Sequence, residues 1–306
     1  MHQSPLNWAV CLGLGAAAAI IGLLPWLVGG GTLPLQLLWA HSTLPDDMPF
    51  VLLPFSQYAI FLLLGLLGVG YVIAGIVLRA YGARVTAARA WANWAGVVAV
   101  QGIAVAQTTV VVANGQQDGA EAALYLAALL AVVAISAAIG TLGFWLIARA
   151  PVPGAMIGLA IGAVCIGEWV SGFVSPLITL PSESASWVSQ NILQWMPAVI
   201  IGATIAWGGL SSWARRSAAL LALVILWVQI PLTTAINSAT SRVALRYPSE
   251  MLDHIAGVLQ MMVSLWDVTL LPVVVALVVA AVGLTLRLLL SRRKRALSGS
   301  DQGCPD

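Results

Sequence analysis

Glu168 interrupts an otherwise apolar run from 155 to 178, and it is the one carboxylate inside any such run of this 306-residue chain. A charged carboxylate facing lipid costs a few kcal/mol, so Glu168 must face protein or water, or keep its proton. Cys165, Ser171 and Ser175 share its helix face by three- and seven-residue spacing. Gly154, Gly158 and Gly162 form a small-xxx-small ladder on a different face, where another helix or a membrane-protein partner can come close.

Two amides sit at similar depth in other apolar runs, Gln101 and Gln229. Gln229, Thr233 and Asn237 form an i, i+4, i+8 stripe, and Pro231 within that stripe frees a backbone carbonyl. Gln101 and Thr108, beside Gln107 and Thr109, make a similar stripe. This pattern predicts a central polar site in which Glu168 binds a proton or a small polar or cationic substrate. Gln101, Gln229, Ser171 and Thr233 would be its hydrogen-bonding companions. The competing reading is helix glue: a protonated Glu168 bonded to one of the glutamines, worth about 1 kcal/mol.

Other chemistry finds little support in the residue pattern. His41, Asp46, Asp47, Glu183, Asp253 and His254 have no compact ligand spacing and no HExxH, so neither a metal nor another cofactor is expected. The sequence holds no phosphate-cradling GxxxxGK[ST] and no GxSxG elbow, and no catalytic residue is assigned. Asp46 and Asp47, after Pro45, are the candidate pair for an enzyme acting on a lipid-linked substrate, though such a pair also suits a solvated turn. Cys11, Cys165 and Cys304 make no CxxC and no disulfide framework. Asp267 reads as a charge favoured at a helix N-terminus, and Arg287 as a snorkelling side chain.

The elements that must position these groups follow from composition. A chain that is 60% hydrophobic and 8% charged, with a mean hydropathy of +0.97, is not a soluble domain on a single anchor. At about 20 apolar residues per helix, the spans fall at 8–28, 56–79, 91–113, 121–147, 155–178, 193–212, 217–238 and 267–290. The expectation is therefore an all-α polytopic membrane protein of eight transmembrane helices.

Charge sorts the connections. Eleven of the thirteen basic residues fall on one side: Arg79, Arg84, Arg89, Arg149, Arg215, Arg216, Arg287 and the run from Arg292 to Arg295. Asp46, Asp47, Asp118, Glu121, Glu183, Glu250, Asp253 and Asp267 lie on the other, with only Arg242 and Arg246. The positive-inside rule then puts both termini in the cytoplasm. Arg in place of Lys in an Ala-, Leu- and Gly-rich chain suggests a GC-rich bacterial source, hence a bacterial cytoplasmic membrane. Met1 to Asn7 carries no Lys or Arg, so the first span is expected to be retained. Trp8, Trp91, Trp94, Trp145 and Trp213 mark inner span ends, and Trp26, Trp39, Trp187, Trp195 and Trp266 outer ones. The single basic run follows an apolar span and suits anchoring to the lipid bilayer, so no nucleic-acid partner is expected.

Cytoplasmic connections are too short to hold a domain. The outer ones are long: in the last, Met251, Leu252, Ile255, Val258, Leu259, Met262 and Val263 recur at helical spacing opposite Glu250, Asp253, His254 and Gln260. This predicts an amphipathic segment on the outer face, with a shorter one over 183–196, either shielding the bundle end or forming a lid over a cavity. Eight spans also divide as a 4+4 parallel pseudo-repeat: residues 1–148 and 149–290 as two four-helix halves, and 291–306 as a basic, polar cytoplasmic tail. Leu24-Pro25-Trp26-Leu27-Val28-Gly29 is similar to Gly167-Glu168-Trp169-Val170-Ser171-Gly172, and Val100-Gln101 to Val228-Gln229. Together these features point to a transporter or permease-like protein rather than an enzyme. A noncatalytic membrane subunit or scaffold of a larger envelope or transport complex is the alternative, and the lipid-linked-substrate enzyme the third.

Overall fold

A computed structural model of the chain describes residues 7–36, 38–82, 86–178, 193–240 and 248–300. Outside the described residues lie Arg84, Glu183, Trp187, Arg242, Arg246 and Cys304, and with them the side chains of Ser175, Glu250 and 292–295.

The described residues are helical, apart from the connection at 29–59 and short turns, and contain no strand. The helices are α1 (Trp8–Val28), α2 (Ile60–Tyr81), α3 (Ala87–Gly115), α4 (Ala120–Arg149), α5 (Val152–Ile178), α6 (Met196–Gly208), α7 (Trp213–Thr240), α8 (Pro248–Ser264), α9 (Trp266–Thr269) and α10 (Leu271–Ser300). Seven are long and apolar enough to cross a membrane: α1 to α5, α7, and the last span running from Trp266 through α9 into α10. This is a multi-pass membrane protein.

The eighth expected span, 193–212, contains only a 13-residue helix, α6. At 1.5 Å per residue that is about 20 Å, short of the roughly 30 Å hydrocarbon thickness. Pro197 sits in its first turn, and Gly209, at φ +71°, closes it with a backbone angle that side chains disfavour. The apolar run counted from sequence is long enough to cross, but its helical part is not. Gly82, at φ +61°, ends α2 in the same way.

The ends of α2, α4 and α6 gather with the start of α5 at one end of the bundle, here the basic end. There Arg79 Nη1 donates to the carbonyls of Ile147 (2.7 Å) and Ala150 (3.0 Å), capping α4, while its guanidinium lies 5.4 Å from the Trp207 ring. Arg287 does not simply snorkel: its Nη1 donates to Trp207 O (2.9 Å) and Ala206 O (3.3 Å), capping α6. Trp91, Trp94 and Trp145 pack ring on ring at the same end, with centroids 5.3 and 4.6 Å apart.

The opposite, loop end of α1–α4 is plugged by residues 29–55. Leu33, Val51, Leu53 and Phe55 from that connection are buried against Leu63, Leu66, Ala104 and Val112. An irregular backbone driven this deep must find hydrogen-bond partners. Gln107 supplies two, accepting from Leu52 N (3.0 Å) and donating to Phe50 O (3.1 Å), and Thr108 Oγ1 accepts from Leu53 N (3.1 Å). Gln36 donates to Phe55 O (2.8 Å) and accepts from Tyr125 (3.0 Å), and Trp26 donates to Val51 O (2.8 Å). The polar stripe of α3 at 107–108 thus holds the plug in place.

α1 packs on α3 and α2 on α4; α6 packs on α10, and α5 packs on α6 and α7 alike. α5 also touches α1, α2 and α4, so it joins the two sets. Its glycine ladder is used inside the chain: a Cβ on Gly158 would lie 2.9 Å from Leu146 Cβ of α4, and one on Gly162 2.9 Å from Val72 Cγ1 of α2. The two similar six-residue motifs differ in setting, since Gly29 caps α1 whereas Gly172 lies within α5. The last outer connection contains a helix, α8, which packs on α7.

Candidate functional site

Small residues decide how close Glu168 comes to its neighbours. A Cβ on Gly65 of α2 would stand 2.8 Å from Trp169 N and 3.0 Å from Glu168 Cβ, and one on Gly167 would stand 2.9 Å from Pro197 Cγ of α6. Here α5 is held between α2 and the first turn of α6. Trp169 fixes its rotation by donating from Nε1 to Gly22 O of α1 (2.8 Å). With α2 and α1 packed on Cys165 and Trp169, the Glu168, Ser171 side of α5 is left facing α6 and α7.

That side borders a cavity of about 530 Å³. Its floor is Gly167 and Glu168 of α5, Pro197 of α6, and Gln229 and Ile230 of α7, all buried or half-buried. Its rim is Ser171, Gln194, Asp267, Val268 and Leu271, all exposed. Two helix beginnings therefore meet here, that of α6 through Trp195 and Pro197, and that of the last span through Asp267, Leu271 and Pro272. α6 has no side-chain cap on its first turn. The floor is level with Gly65, only five residues into α2, or roughly 8 Å from the loop end of that helix at 1.5 Å per residue. Glu168 is thus nearer the loop end than the basic end. Beneath the cavity the bundle closes on an alanine-rich core of Met156, Ala160, Ala163, Ala198, Ile201 and Ala222.

Of the five side chains expected to form one site, the structure brings three together: Glu168, Ser171 and Gln229. Thr233 lies one turn further along α7 and donates its hydroxyl to Ile230 O (3.1 Å). Gln101 is elsewhere. It is buried on α3 and donates from Nε2 to Leu67 O of α2 (2.8 Å), in the space that the missing Cβ of Gly70 leaves open. α2 stands between it and Glu168, because α3 packs on α1 rather than lining a common centre with α5 and α7.

The cavity also recruits groups that the residue pattern did not assign to a site. Asp267 does start a helix as expected, but it stands on the cavity rim as well. Gln194 and Trp195 belong to the short 3₁₀ turn Leu193–Trp195 that leads into α6. The available signal was Trp195-Met196-Pro197, a proline four residues into the run at 193–212, which shortens the helix and sets its start. Asp46 and Asp47 form an exposed 3₁₀ turn away from this cavity. Among the described residues no three His, Cys, Asp or Glu side chains cluster as a metal site.

No family model matches the chain, and no curated protein and no solved structure is similar to it.

Proposed function

We propose that this protein is a transporter or permease-like protein of a bacterial cytoplasmic membrane, with both termini in the cytoplasm and its binding site at Glu168, Ser171 and Gln229. The observation that carries the reading is the cavity itself: a shortened helix begins partway through the bundle, and its first turn shares a polar cavity with an intramembrane carboxylate. Broken helices that start at a polar site are how transporters bring backbone and side-chain polar groups to a substrate without exposing them to lipid. The pairing of the second helix with the fourth in each set, α2 with α4 and α6 with α10, supports two halves, 1–148 and 149–290, related as a 4+4 parallel repeat in which α6 is the shortened member. In this reading α5 is the pivot. It carries Glu168 and touches both sets of helices, so a tilt of one set against the other would move the binding group relative to either end of the bundle.

The test replaces Cys11, Cys165 and Cys304, installs Glu168→Cys, and applies a membrane-impermeant thiol reagent from each side. Labelling from one side is the expected result, since a transport site needs a water path. Absence of labelling from both sides, with cysteines in the 29–55 connection reacting normally, would overturn the proposal.

A second reading, a noncatalytic membrane subunit of a larger complex, draws on α10: only 11% of the most apolar stretch of the last span is buried, against 61% for α2. A stoichiometric partner co-purifying with the full chain, and lost when bulky residues replace Val274 and Val278, would favour it.

A further inference from the structure

The walls of the Glu168 cavity are chemically one-sided. Two carboxylates, Glu168 and Asp267, share it with the amides Gln194 and Gln229, and among the described residues its lining holds no Lys, Arg or His. Arg79 and Arg287 are spent on helix C-termini at the basic end. An anionic guest would thus meet like charge with no counter-charge, whereas a cation would be matched. Gln229 adds a more specific demand. Its Oε1 is fully buried and has no hydrogen-bond partner among the described residues, an acceptor left without the N–H or O–H donor that such a group requires.

The remaining wall is apolar. Val268, Leu271, Pro272 and Ile230 line it, and Trp195 offers an aromatic ring. A hydrated metal ion or a bare proton has no use for that surface or for about 530 Å³, a volume within the range of organic-ligand sites. Ammonium groups, in contrast, are held by carboxylates and by aromatic faces together.

Resting on the reading of this cavity as a transport site, we infer that its ligand is a protonated organic amine with an apolar body. The ammonium N–H groups bind Glu168 and Gln229 on the floor, Asp267 adds a second negative charge at the rim, and the apolar body lies against Val268, Leu271 and Trp195.

The test uses the full chain in phosphatidylcholine nanodiscs and calorimetric titration with three probes of one shape: 2-phenylethylamine (a cation at neutral pH), 2-phenylethanol and 3-phenylpropionate. The amine is expected to bind saturably, one to one, at least tenfold more tightly than either companion, and to lose at least tenfold in affinity in Glu168→Gln and in Asp267→Asn. Equal binding of the three probes, or amine binding unchanged in both variants, would overturn the inference. A second measurement leaves the carboxylates in place. In the cysteine-free background, Ser171→Cys should react faster with a trimethylammonium-ethyl than with a sulfonatoethyl methanethiosulfonate, relative to a cysteine in the 29–55 connection. An equal ratio at the two positions would also overturn it.

Failure here is distinguishable from failure of the transporter reading. If Glu168→Cys is labelled but the amine shows no preference, the water path stands and the substrate class falls. If the amine binds through Glu168 while Glu168→Cys stays unlabelled from both sides, the site stands and the transport role falls.

Discussion

Polar side chains in this bundle do two different jobs, and their neighbours decide which. Gln107 and Thr108 spend their groups on the backbone of residues 50–53, where an irregular chain is buried among apolar residues. Gln101 likewise serves a helix carbonyl. Glu168 and Gln229 line a cavity instead. The distinction has a measurable consequence. Thr108→Val keeps the shape but strips the acceptor from Leu53 N, and it should destabilise the fold by about 1–3 kcal/mol, the cost of an unsatisfied buried donor. Thermal unfolding in detergent reads this directly, and amine binding at the Glu168 cavity should stay unchanged. A variant as stable as the parent would show that the plug does not depend on this bond.

Between elements, proximity comes from missing side chains and its permanence from capped ends. Gly65 and Gly68 let α2 approach α5 at Cys165 and Glu168, and Gly167 lets α6 begin against α5. Arg79 ties α2 to the last carbonyls of α4 and lies over Trp207 of α6, so one side chain joins three helices. Charge-assisted bonds at a helix C-terminus of this kind contribute about 1–2 kcal/mol. Arg79→Ala should therefore lower the melting temperature by that much stability. Arg79→Lys should recover only part of it, because a lysine cannot present a planar guanidinium to the indole ring. Equal stability of Arg79→Ala and the parent would mean that the basic end is held by apolar packing alone.

At the scale of the whole molecule, orientation follows from where positive charge can stay. Arg215 and Arg216 start α7 at the basic end, and the 29–55 connection closes the loop end of α1–α4. Lysine and arginine resist translocation, so the proposed orientation has the basic end in the cytoplasm. In the cysteine-free background, Ser42→Cys should react with an impermeant reagent applied to intact cells, and Ser212→Cys only after permeabilisation. The reverse pattern would invert the protein and place the Glu168 cavity, which lies toward the loop end, on the cytoplasmic side.

Composition and hydropathy alone determined the class of this protein and located the seven helices long and apolar enough to cross a membrane. Each long apolar helix has to satisfy its own backbone in lipid, and that requirement is local, so it is written along the chain. The residue pattern also singled out Glu168, Ser171 and Gln229, since an intramembrane carboxylate and its helix-face companions stand out at fixed spacing. Tertiary structure decided the rest. Hydropathy counts apolar residues without regard to where a helix starts, so 193–212 read as a full span although Pro197 and Gly209 confine its helix to 13 residues. Depth alone grouped Gln101 with Glu168, yet the choice of α1 as the partner of α3 put α2 between them. Asp267, Gln194 and Trp195 reach the cavity because two helix beginnings, far apart in sequence, meet at the same level of the bundle. Helix pairing sets that convergence, and it depends on which glycine faces meet rather than on any short stretch of sequence.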